Sequence, residues 1–138
     1  VSYNENDPHQ QATDAYDSNA KNLGSDQREL EAQILIKSNR MIQQLVTMWD
    51  SRPGELLEET LKYNRNIWML FYDTAMEKKE NAQPDALRSN IINLANFIFK
   101  REMDILANPD KDKLGILINI NREIAAGLTA NGAHNNQA

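Results

Sequence analysis

The chain has 138 residues, 41% of them hydrophobic, no cysteine and a net charge of −5. One domain of this length buries roughly 68% of the surface its unfolded chain exposes, so a core forms without covalent staples, and disulfides and thiolate metal sites are excluded. Residues 1–25 carry one Lys against four acids, and residues 81–138 carry six basic and six acidic residues; with no basic block, direct nucleic-acid binding has no electrostatic footprint.

In chain order, residues 1–24 come first and are polar. Asp7-Pro8 reads as an N-cap followed by a first-turn proline, and Ala12, Tyr16, Ala20 and Leu23 share one face up to Gly24, a residue that commonly stops a helix. The expectation is an N-terminal extension over 1–24 carrying a short helix. A first long helix starts at Ser25-Asp26, where Asp26 and Glu29 have capping-box spacing. Leu30, Ile34, Met41, Leu45 and Met48 follow at three- and four-residue intervals, and Pro53-Gly54 ends the run.

The second helix is predicted over 55–78, with Leu57, Leu61, Asn64, Trp68, Phe71 and Ala75 on its main face. Pro84 opens the third, which Leu87, Ile91, Leu94, Ile98 and Ile105 mark as apolar on one side before Asn108-Pro109. The fourth begins near Asp110 and carries Leu114, Leu117, Ile118, Asn121, Ile124, Ala125 and Leu128. After Thr129 nothing remains to bury, so residues 130–138 are expected to be a disordered tail. Short links make neighbouring helices antiparallel. The fold class expected is all-α: four long antiparallel helices plus the N-terminal element.

Catalytic chemistry finds no foothold. Both histidines, His9 and His134, lie near the ends, where a general base is poorly held against its proton. No nucleophile pair, phosphate loop or dinucleotide fingerprint is present. Glu55, Glu58 and Glu59 are acids at a helix start, where the dipole favours them, and a carboxylate metal site in a bundle draws on several helices. No enzyme activity, metal or cofactor is expected. No apolar run approaches the roughly 20 residues of a membrane span, and residues 1–5 resemble no secretory signal, so no membrane insertion and a cytoplasmic location are expected.

The informative feature is Ile67-Trp68-Met69-Leu70-Phe71-Tyr72, six consecutive apolar or aromatic residues on a helix. With successive residues turned by about 100°, this belt coats every side of the helix. Either the helix is central and touches several neighbours, or one apolar face receives a partner. Asn64 and Asn121 sit inside apolar stripes: each fixes register with a neighbouring helix or caps a polar group of a partner. Arg88, a cation in a first turn, needs a carboxylate or carbonyl in the fold or in a ligand.

The second half forms an ordered string. Asn64-x-x-Ile67-Trp68-x-x-Phe71-x-Asp73 precedes Asn81-x-x-Pro84-x-x-Leu87-Arg88, then Ile91, Leu94, Phe97-Ile98 and Ile105-Leu106, then Leu117-Ile118-x-Ile120-Asn121-x-x-Ile124-x-x-Gly127-Leu128. This resembles the flagellar biosynthesis regulator FlaF of alphaproteobacteria, over 64–128 and more weakly back to Ser25 and Ala15-Tyr16. Two positions depart from the family pattern: Gln83 stands where Leu is frequent, and Asn119 where Asp is. The resemblance makes residues 25–129 a FlaF-like helical domain. It implies a non-enzymatic role in flagellum assembly: binding flagellin and supporting its production and secretion as an export chaperone, opposite the translational repressor FlbT. The alternative it leaves is post-transcriptional regulation of flagellin mRNA without direct flagellin binding. On the first reading a terminal helical segment of flagellin occupies a groove lined by Trp68, Phe71, Tyr72, Leu117 and Ile118, with Asn64, Arg88 and Asn121 as polar anchors.

Overall fold

The computed structural model describes residues 13–77 and 84–137, with side chains described for Gly24, 26–77 and 84–129. The stripes of the second and fourth helices become packed faces, but the first helix buries Ala32, Leu35, Ile42 and Leu45 and leaves Leu30 and Met48 of its expected face exposed, and Leu87 of the third is exposed too. The expected Asp7-Pro8 cap and the Gln83 position lie outside the described residues. Helix α1 spans Thr13–Thr47, α2 Gly54–Met76, α3 Asp85–Ala107 and α4 Gly115–Gln137. No strand occurs among the described residues.

Two boundaries differ from the sequence expectation. α1 runs straight through Gly24, where a stop was expected, so Asp26 and Glu29 have no helix start to cap. Gly24 does not take a positive φ. A mid-helix glycine costs only about 1 kcal/mol relative to alanine, too little to break a long helix where nothing requires the chain to turn. At the other end, the helical backbone of α4 continues past Thr129 to Gln137.

The reversal between α1 and α2 is made by the 3₁₀ turn Trp49–Ser51 and then Arg52, whose φ of 56° is left-handed. Arg52 N–H donates to the Trp49 carbonyl at 3.0 Å, and Leu57 N–H to the Pro53 carbonyl at 2.7 Å. Between α3 and α4 lies the 3₁₀ turn Lys111–Lys113, capped by Asp110, whose Oδ1 accepts from Asp112 N–H at 2.9 Å. Lys113 ties this link back to α3 through Asp104 Oδ2 at 3.0 Å.

Pairs of contacts give the directions. Arg65 meets Glu102 while the Ala75 carbonyl meets Arg88, so α2 and α3 are antiparallel. Asn39 meets Ile118 while Glu31 shares a cleft with Ile124 and Leu128, so α1 and α4 are antiparallel too. α1 packs on α4 and on α2, and α2 on α3, whereas α3 and α4 scarcely approach backbone to backbone. The core holds Leu35, Ile42, Leu45, Leu61, Trp68, Ile98, Ile105, Leu114 and Leu117, all fully buried. Each aliphatic side chain among them stabilises the fold by about 1.5–3 kcal/mol.

Candidate functional site

The middle of this core is polar. Each helix contributes at least one side chain: Ser38 and Asn39 from α1, Asn64 from α2, Glu102 from α3 and Asn121 from α4. Asn64 Oδ1 accepts from Ser38 Oγ at 2.8 Å and from Asn121 Nδ2 at 2.7 Å. Its Nδ2 donates to Glu102 Oε2 at 2.9 Å. Asn121 also donates to Asn39 Oδ1 at 3.0 Å and accepts from Trp68 Nε1 at 2.9 Å. Asn39 Nδ2 closes the chain on the Ile118 carbonyl at 3.0 Å. Arg65, half-exposed, brings its Nε to Glu102 Oε1 at 3.2 Å. Burial pushes the Glu102 carboxyl up to about 7, against the hydrogen bonds from Asn64 and Arg65 and the charge of Arg65, which pull it down. A network in which each buried amide meets partners on other helices specifies register, because sliding any helix by one turn orphans several polar groups at once.

This network corrects the groove expected from the sequence. Asn64, Trp68, Leu117 and Asn121 have no accessible surface, and Ile118 is buried as well; in this conformation they hold the core and cannot touch a partner. The belt at 67–72 divides: Ile67, Trp68 and Phe71 face inward, Met69 and Leu70 are exposed, and Tyr72 lies half-buried beside Phe99 at 6.3 Å between ring centroids. Trp68 and Phe71 meet edge to face at 5.3 Å. Arg88 finds its partners within the fold, donating from Nε to the Ala75 carbonyl at 2.7 Å and from Nη1 to Asp85 Oδ1 at 3.2 Å. A cation opposed by the dipole of its own helix start thereby sits at the C-terminal end of α2, where a cation is favoured.

Of the predicted residues, Phe71 reaches an accessible cleft. The cleft has a volume of about 540 Å³, and its apolar lining is Phe71, Leu87, Ile91, Ile124 and Leu128, drawn from α2, α3 and α4. It exists because α3 and α4 stay apart. Arg28 and Glu31 of α1 and Glu123 of α4 edge it. The Nε of Arg28 is buried with no hydrogen-bond partner. Burial raises the Glu31 carboxyl above its ordinary range, against the opposing effects of the Gln27 hydrogen bond and the Arg28 charge. The arrangement offers an apolar floor, a buried N–H donor in want of an acceptor, and a charged rim, which are features of a recognition surface. Among the described residues no group of three or more His, Asp or Glu side chains gathers as a metal cage would require, and no helix is long and apolar enough to cross a membrane.

Sequence reasoning missed Glu102, which looks like surface charge in Lys100-Arg101-Glu102. The signal was present: Glu102 stands four residues after Ile98 and three before Ile105, on the buried stripe of α3. Ser38 and Asn39 were missed for the same reason on α1. A comparison with protein families matches residues 12–128, most of the chain, to flagellar protein FlaF. No curated protein and no solved structure matches it.

Proposed function

Since the chain belongs to the FlaF family of flagellar proteins, and so to flagellar biosynthesis, we propose that it binds flagellin in the cytoplasm and supports its production and secretion as an export chaperone. The observation that carries this reading is the cleft between α3 and α4, with its apolar lining of Phe71, Leu87, Ile91, Ile124 and Leu128 and the unpartnered Arg28 N–H at its edge. An amphipathic helix laid in such a cleft buries its apolar stripe. A carboxylate on that helix pairs with the Arg28 guanidinium that lines the cleft. A terminal helical segment of flagellin is the proposed guest, and masking its apolar face would hold flagellin unpolymerised before export.

Calorimetry with full-length flagellin and with flagellin lacking its termini tests the proposal. Full-length protein should bind and the truncation should not. Ile124→Asp, which places a charge on the cleft wall, should weaken binding at least tenfold, while Met103→Asp, at a 71% exposed position, should not. Absent binding, equal binding to the truncation, or an Ile124→Asp variant that binds like the wild type would overturn it. A gel shift of flagellin leader RNA by this chain alone, without FlbT, would favour the mRNA reading in its place.

A further inference from the structure

The two halves of α3 are seated differently. Its buried side chains, Ala95, Ile98, Glu102 and Ile105, all lie from Ala95 onward. Residues 85–94 bury none: Leu87 is exposed, and Ile91, Ile92 and Leu94 are half-buried. α4 scarcely approaches this helix. Among the described residues, the hydrogen bond that a side chain of 85–94 makes to another helix is Arg88 Nε to the Ala75 carbonyl, at 2.7 Å. Yet this lightly held stretch supplies Leu87 and Ile91 to the cleft wall.

Position gives the stretch a purpose. It forms one wall of the cleft of about 540 Å³ that it shares with Phe71 of α2 and with Ile124 and Leu128 of α4. A guest helix lies deeper in the cleft, and buries more apolar surface there, when a wall gives way. The wall that gives most readily is the one that exposes least apolar surface on moving, and that is 85–94.

We propose that residues 85–94 are a flap that swings outward to admit an amphipathic helix of the partner, and that Arg88, bonded to the C-terminal end of α2, is its latch. The proposal rests on the cleft being the partner site. Ala95, Ile98 and Ile105 stay in the core as the flap moves, so the second half of α3 serves as the fixed end. Leu87 and Ile91 then close on the apolar stripe of the guest, and Arg28 receives one of its acceptors.

Hydrogen exchange on the full chain without partner tests the flap independently of flagellin binding. In the wild type, amides of 85–94 should exchange at least tenfold faster than those of 95–105. In Arg88→Met, which keeps an unbranched apolar stem and removes the latch, the 85–94 amides should speed up by a further tenfold or more, as loss of a charged hydrogen bond implies, with 95–105 unchanged. Uniform protection along α3, or an Arg88→Met effect spread evenly over all four helices, would overturn the proposal, and the wild-type pattern decides alone if the variant fails to fold. With flagellin added, 85–94 should gain protection; protection gained elsewhere but not there would remove the flap from docking.

Discussion

Neutralising Glu102 should change how the stability of this protein depends on pH. Its carboxyl is pushed up to about 7 in the fold, from an ordinary 4.5, chiefly by burial. A carboxyl whose folded pKa is raised contributes stability that is fully present below the unfolded value and is lost as pH rises through the folded one, because over that window the folded state holds more protons. A shift of this size corresponds to about 3 kcal/mol at 1.36 kcal/mol per pH unit, most of which falls between pH 5 and 8. Urea unfolding of wild type and Glu102→Gln, run side by side across that range, isolates the group because the other titrations cancel. The stability of the wild type relative to the variant should fall by about 2–3 kcal/mol toward pH 8. Parallel profiles, or a wild type that gains on the variant as pH rises, would refute the assignment of Glu102 as a carboxyl held out of water.

Three further outcomes follow from the geometry. Gly24→Ala should stabilise the chain by up to about 1 kcal/mol in urea unfolding, since α1 passes through Gly24 and an added Cβ meets nothing within 4 Å; destabilisation would mean the helix ends there. Arg52→Gly should raise stability by about 1 kcal/mol by relieving a side chain held at φ 56°, visible as a later thermal midpoint. Trp68→Phe leaves the Asn121 Oδ1 without its indole donor and should cost about 1–3 kcal/mol plus the lost ring area, measured by the same urea titration; a neutral result would contradict the network.

What could be read in advance tracks the range of the forces involved. The faces of α2, α3 and α4 were legible because Leu61, Trp68, Ile98 and Leu117 recur at helical spacing, a local property of the chain. The antiparallel order followed from short links. Gly24 misled because a glycine signals permission to turn and not the need to. The site was less legible. Asn64 and Asn121 stood out as polar residues in apolar stripes, but whether they faced a partner or each other depends on residues 57 positions apart in sequence. The cleft depends on the spacing of α3 and α4, which no pattern within either helix records. Arg88 stands out as a cation needing an acceptor, and its acceptors are the Ala75 carbonyl and the Asp85 carboxylate.

The pairing of α1 with α4 joins the first helix to the fourth. A ribosome releases α4 after the other three. Until it emerges, the α1 face carrying Leu35 and Ile42 lacks its principal neighbour, and Asn39 and Asn64 lack the Asn121 amide. The bundle is therefore completed only once the fourth helix is free to fold. A message cut short before α4 would yield a chain with an open apolar flank, a substrate for proteolysis.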